Sequence, residues 1–308
     1  MGITRRQFMQ AGAGGLAALA WPAPSSARPV RVLSVAYAGS MGALMHGGVA
    51  PVMAHRFQTR IEGRAQGALG LAHMIVGGAI RPDVFISITR APMDIVLRAG
   101  KAREAFAIAS TELVIAYSPR SPLTPAFQVA QVPGHAAWWK ILEARGARFG
   151  RTDPATDPQG LNIIFMMKLA ERFYHQPGLV ERILGPVMNA RQIFPEPEVM
   201  TRLQAGQLDA SSAYKTQPAA LGLPYLTLPA AINLGEATEE PIYDSVSVRL
   251  QGKIHRPSPL VFYAAVLKDS GHPKASAHLI DWFRGPSGQE ILRRYHYDGP
   301  KDAPPLTV

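Results

Sequence analysis

Apolar residues fall along this chain mostly in short runs, with polar, glycine and proline breaks between them. Val30–Tyr37 reads Val-Arg-Val-Leu-Ser-Val-Ala-Tyr, the length and composition of a buried strand. Ala38-Gly39-Ser40 breaks that run, and the spacing over Met41–Phe57 predicts a helix. Gln66-Gly67 precedes a second helical stretch, Ala68–Gly77. Asp83–Ile88 and Glu112–Tyr117 read as further short strands, with a helix over Ala91–Ala99 between them. Beyond Ser118-Pro119 the pattern predicts a helix over Trp138–Ala144, an extended piece at Arg148–Arg151 and a Pro/Asp-rich loop from Thr152 to Gly160. A long helix over Leu161–His175, another over Val199–Ala205 and a strand over Ala210–Tyr214 follow. Strands at Leu226–Leu228 and Leu260–Leu267 and a helix over Ala275–Phe283 complete the pattern.

Strands alternating with helices predict an α/β fold with a largely parallel sheet. Such sheets gather ligands at the carboxyl ends of their strands, where helices begin. Ser40, Thr89 and Ser118 each lie just past a predicted strand, which makes them candidate donors.

The first 27 residues have a different character and do not enter the fold. Thr4-Arg5-Arg6-Gln7-Phe8-Met9 has the form of a twin-arginine export signal, and the weakly apolar run Ala11–Ala20 is too short to span a bilayer. Ser25-Ser26-Ala27 supplies the small residues of a cleavage site. This predicts a soluble mature protein in the periplasm, with the twin-arginine machinery as an export partner.

Composition narrows the chemistry. With 308 residues, 47% of them hydrophobic, the chain can bury a large core or two moderate ones. The absence of cysteine excludes disulfides, thiol nucleophiles and thiolate metal sites. The leader holds two arginines and no acid, leaving +8 of the formal +10 on the mature chain. The basic residues are scattered, without a dense run or interleaved aromatics, which argues against nucleic acid and for a field that favours anions. No Gly-x-Ser-x-Gly, P-loop or zincin motif is present and no acid/base pair stands out, so no enzyme is indicated. His46, His55 and His73 have no metal-ligand spacing, and Trp138-Trp139 reads as core.

Several segments, in this order, resemble the periplasmic molybdate/tungstate-binding proteins of ABC transporters, in particular their archaeal-type branch. They are Val35–Ser40, Pro82–Ser87, Glu112–Ser118, Asp157–Gly160, Leu203–Ala210 running into Ala213–Thr216, Leu228–Leu234 and Pro259–Ala264. The resemblance implies a type II periplasmic-binding-protein fold, two α/β lobes with two hinge crossings. The crossings are expected near Tyr117–Ser118 and Tyr214–Thr216. Lobe one is then 28–117 plus 217–308, and lobe two 118–216. It further implies a monomer without a cofactor, which captures an oxyanion in the interlobe cleft and delivers it to a permease in the inner membrane. Another anion, such as sulfate or a small organic anion, is the alternative ligand.

An oxyanion site of this kind is built from helix N-termini, whose free N–H groups and positive dipole ends converge on the ligand. Candidate helix starts lie at Gly39-Ser40, at Gly67-Ala68 and at Asp157–Gly160, the last including Gln159. Ser40 matches the family's first binding serine. Ala68 stands where the family often has serine, so the backbone N–H survives, the hydroxyl does not, and Gln66 is a substitute donor. Asp157 matches a family carboxylate that can ligate the metal of the oxyanion directly, and its other reading is a helix cap. The resemblance places a second carboxylate two residues before Lys215, where this chain has Ala213. Tyr214 is a candidate hydroxyl donor at the second crossing.

Overall fold

The computed structural model describes residues 31–131 and 137–308. The export signal read in residues 1–27 lies outside them. The larger of two main sheets has six strands: β1 (Arg31–Ala38), β2 (Thr59–Gln66), β3 (Val84–Ile88), β4 (Glu104–Ser110), β11 (Val261–Val266) and β12 (Leu306–Thr307), ordered β12-β4-β11-β3-β1-β2. β1 runs parallel to both β2 and β3, while β11 is antiparallel to β3 and β4. All five residues of β3 are buried, as expected of a strand covered on both faces. The helices Ala68–Val76 and Arg90–Arg98 pack on each other against this sheet, and Pro273–Arg284 packs on β4 and β11.

The parallel arrangement matters for position. β1, β2 and β3 all end at one edge, so Ser40, Gly67 and Thr89, each just past a strand end, are delivered to that edge.

The smaller sheet contains β5 (Leu113–Tyr117), β6 (Phe149–Gly150), β7 (Ala210–Tyr214) and β8 (Tyr225–Leu226), ordered β6-β7-β5-β8. Here the structure differs from the sequence reading. The run Glu112–Tyr117 was expected to end the first unit, but β5 pairs antiparallel with β7 and belongs to the second sheet. The chain therefore leaves the larger sheet between Ser110 and Leu113. β8 pairs with β5, so the chain also stays on the smaller sheet past Thr216, as far as Leu226. A run of buried apolar residues identifies a strand but does not name its neighbour, and pairing decides which sheet owns it. A hairpin of β9 (Val248–Leu250) and β10 (Lys253–His255) stands apart from both sheets.

Three strands of the larger sheet escape the sequence pattern, β2, β4 and the two-residue β12. β2 is an edge strand reading Thr-Arg-Ile-Glu-Gly-Arg-Ala-Gln, with charges on its open side. β4 reads Glu-Ala-Phe-Ala-Ile-Ala-Ser, where alternating alanines weaken a strand's apolar signature. The predicted helix over Met41–Phe57 is a composite: a 3-10 turn at Gly39–Met41, a short helix, a π-helical turn at Met45–Val49 and the α-helix Ala50–Phe57. Gly47 and Gly48 lie in the π turn, where a side chain would run into the Tyr295 ring. Trp138 and Trp139 are buried and pack on Tyr174. No helix of the described residues is long and apolar enough to cross a membrane.

The smaller half is held together by one buried acid. Asp209 is 4% exposed; its Oδ1 accepts from Ser121 Oγ at 2.7 Å and from Arg148 Nη2 at 2.8 Å. Its Oδ2 accepts from Arg148 N at 2.8 Å and Nε at 3.0 Å. Burial alone would raise the Asp209 pKa, but these bonds hold it below the usual range. Truncation leaves the buried Ser121 hydroxyl and the Arg148 amide without their acceptor and frees the exposed Arg148 guanidinium. Asp209→Ala is expected to lower stability by about 2–4 kcal/mol in urea unfolding, and a loss below about 0.5 kcal/mol would refute this anchoring role.

Candidate functional site

The two sheets meet at the carboxyl edge of β1, β2 and β3. The helix Ala68–Val76 starts at Gly67, and its Gly70 N–H donates to the Thr156 carbonyl at 3.1 Å, across the boundary between the sheets. A Cβ on Gly67 would lie 2.6 Å from that carbonyl oxygen and 3.1 Å from Asp157 Cβ. Glycine is thus required by close approach, and Asp157 is carried directly against this helix start.

Asp157 caps the helix Pro158–Phe173. Its Oδ1 accepts from Gln159 N at 2.9 Å. Its Oδ2 is buried and has no partner. One oxygen caps the helix and the other is free, so the two roles open in the sequence are compatible. Burial pushes the Asp157 carboxyl up to about 6 against the pull of the Gln159 amide and the Thr152 hydroxyl, and the charge of Asp153 adds to the rise.

The structure supplies a second carboxylate. Glu196 opens the helix Glu196–Gln204, and its side chain reaches across to Gly39, where any Cβ would collide with the carboxyl group. Its Oε2 is buried without a partner. Burial and the charge of Asp157 raise its pKa well above the usual range, opposed by the backbone N–H groups of Ser40 and Gly39. Neither carboxylate has a Lys, Arg or His at salt-bridge distance among the described residues. Sequence reasoning missed Glu196. The available signal was an acid bracketed by prolines, Pro195-Glu196-Pro197, at the start of a helix.

Tyr214 closes the group. It is 1% exposed, and its hydroxyl accepts from Asn162 Nδ2 at 3.0 Å. Burial and then the charge of Asp157 push its pKa well up, with a further contribution from Glu196, so the phenol faces both acids. Ser40 Oγ and Gln159 Oε1 are buried without partners nearby in the fold, while Gln159 Nε2 donates to the Ser212 carbonyl at 2.8 Å. A cavity of about 720 Å³ opens onto the carboxylates, lined by Gln66, Gly67, Thr152, Asp153, Asp157 and Glu196 among others. Gln66 is exposed at its rim and Ala68 is buried behind it.

Other expected site residues are placed differently. Ala213 packs on the opposite face of β7, among Val114, Ala116, Val199 and Leu203. An acid there would point into apolar core, so alanine removes no carboxylate from the cleft. Ser118 lies at the far end of β5 from the Leu113–Tyr214 pair; its Oγ accepts from Arg120 N, which makes it a turn residue. Thr89 lines a separate crevice with Pro92, Asn162 and Arg256. Gly160 packs under the loop, where a Cβ would lie 2.5 Å from the Thr152 carbonyl.

Comparison with known proteins agrees with this geometry. The profile of the bacterial extracellular solute-binding protein family matches residues 33–298. A Haloferax volcanii protein named for molybdenum binding in an ABC transporter is 30% identical over 257 residues, 80% of this chain and 78% of its own length. The molybdate/tungstate-binding protein of Pyrococcus abyssi is 29% identical over 211 residues, which is 62% of this chain and 60% of that protein. Among solved structures, the periplasmic molybdate-binding protein of Azotobacter vinelandii superimposes with a TM-score of 0.61 at 17% identity, over 86% of this chain and 98% of that one. That likeness establishes the two-lobe binding-protein fold.

The raised Asp157 pKa has a consequence for stability. A carboxyl whose pKa is higher folded than unfolded binds more protons in the folded state, so its contribution is full below about 4 and is lost as pH rises through about 6. Asp157→Asn keeps a capping oxygen and removes the charge. It is expected to stabilise the ligand-free protein at pH 8 by about 1–3 kcal/mol, with the gain vanishing at pH 4. Calorimetric melting at both pH values checks this, and a lower midpoint for the variant at pH 8 would overturn it.

Proposed function

The chain belongs to the bacterial extracellular solute-binding protein family, and from that premise we propose that it captures molybdate or tungstate between its two sheets for an ABC importer. The observation that carries this reading is the pair of carboxylates Asp157 and Glu196, each with a buried oxygen that has no hydrogen-bond partner and, among the described residues, no counter-cation. A tetrahedral anion whose centre does not widen its coordination, such as sulfate, would add two further negative charges to the pair. Molybdenum(VI) and tungsten(VI) can widen their coordination and accept carboxylate oxygens, which turns that repulsion into bonding. Asp157 and Glu196 are then ligands on the metal. The Ser40 and Ala68 amides at helix starts, with the Tyr214 and Ser40 hydroxyls, hold the oxo groups. Relatives named for molybdate, tungstate and molybdenum support the same choice.

Sheet membership supports a division into lobes with crossings at Ser110–Leu113 and Leu226–Pro229, the first a few residues before and the second about ten residues beyond where a hinge was expected. The cleft closes by motion about these crossings. Export through the twin-arginine signal in residues 1–27, action as a periplasmic monomer and delivery to an inner-membrane permease complete the proposal.

Titration calorimetry of the protein without residues 1–27 tests the ligand. Molybdate and tungstate are expected to bind, and sulfate and phosphate to bind far more weakly; preferential sulfate binding would sink the reading. Asp157→Ala and Glu196→Ala should each cost more than about 2 kcal/mol for tungstate, roughly thirtyfold in Kd, while leaving any weak sulfate binding unchanged or improved. Ser40→Ala should cost about 0.5–1.5 kcal/mol, the worth of one neutral donor among several.

A further inference from the structure

Tyr297 is buried at 3% exposure and lies far from the cleft in sequence, close to the C-terminal end of the chain. Its hydroxyl donates to the Ser40 carbonyl at 3.2 Å. The Phe262 ring of β11, 5.2 Å from the Tyr297 ring between centroids, fixes its orientation from the larger sheet. The next residue makes a parallel set of links. Asp298 exchanges backbone hydrogen bonds with Ser110, the last residue of β4 before the chain leaves the larger sheet, at 2.9 and 3.1 Å. Its Oδ2 lies 3.0 Å from Lys215 Nζ, which also pairs with Glu112 at 3.2 Å. Two adjacent residues thus touch a candidate ligand residue, a crossing segment and the end of β7.

We propose that Tyr297 is a positioning residue for oxyanion capture, holding the Gly39–Met41 turn to a C-terminal segment that Asp298 ties to Lys215, so that the Ser40 donors are aimed when the two sheets are drawn together. The ligand part of this inference rests on the function proposed above, but the mechanical part does not. The turn is a weak element by itself: three residues of 3-10 helix without a side-chain cap. A hydrogen bond to the Ser40 carbonyl restrains the orientation of the peptide that follows it. The salt bridge from the adjacent Asp298 to Lys215, which follows β7, makes that restraint depend on where the smaller sheet stands.

Tyr297→Phe removes the hydroxyl and keeps the ring. Tyr243→Phe is the control, since the Tyr243 hydroxyl is also buried and donates to a carbonyl, that of Ala230, away from the cleft. In the ligand-free protein, amide hydrogen exchange over residues 39–44 is expected to speed up about 3–10-fold in Tyr297→Phe and not in Tyr243→Phe. Calorimetry should show the tungstate Kd raised about 3–10-fold in Tyr297→Phe alone, even where the two variants lose similar thermal stability. Unchanged exchange in that segment, or equal affinity losses in both variants, would overturn the inference and reduce Tyr297 to packing. If the wild-type protein bound no tungstate, the ligand assignment would fall, and the exchange result alone would decide the positioning role.

Discussion

Asp157 and Glu196 come from two different segments, and each holds a buried, unpartnered carboxylate oxygen where their mutual repulsion is weakly screened. Two such groups persist side by side only if a proton, a cation or an electron-poor centre stands between them. The surroundings fit this demand. Helix starts, with amides pointing outward, meet the acids from the larger sheet, and phenol and amide side chains meet them from the smaller one. Among the described residues no lysine or arginine pairs with either acid, and so the site remains dependent on what it receives.

The scaffold delivers these groups through strand direction. Because β1, β2 and β3 run the same way, their exits lie along one edge; the turns after β1 and β2 carry their donors toward the carboxylates, while Thr89 after β3 lines a separate crevice. The smaller sheet answers with the cap of a long helix and the end of β7, placing Asp157, Gln159 and Tyr214 on the facing wall. Arg151 supports that wall from beneath: fully buried, it donates to the carbonyls of Pro186 and Val187 and to Gln192, holding the loop that leads to Glu196.

Much of this was legible in the sequence wherever one local signal sufficed. β1, β3 and β5 are dense apolar runs, and Asp157 stands in an Asp-Pro turn before a helix. What escaped needed information that a sequence does not carry locally. β2 is an edge strand whose charges mask its pairing, and β5 was visible as a strand while its partner β7 lay about a hundred residues away. Glu196 was invisible as a site residue because its proximity to Gly39 arises only when the sheets come together. Ala213 misled for the converse reason. Its neighbours in the chain face the cleft, but the period-two alternation of a strand turns its own side chain the other way.

The hydrogen bond from Gly70 N–H to the Thr156 carbonyl joins the two halves through main-chain atoms alone. Side-chain identity does not enter it, apart from the small residue needed at Gly67. The contact that draws the halves together can therefore survive turnover among the residues that face the ligand. A lineage built on this frame could exchange one anion for another through substitutions at positions such as 40, 68 or 196 and keep the gripping motion intact. In that sense the backbone holds the inherited part of recognition, and the side chains hold the part open to drift.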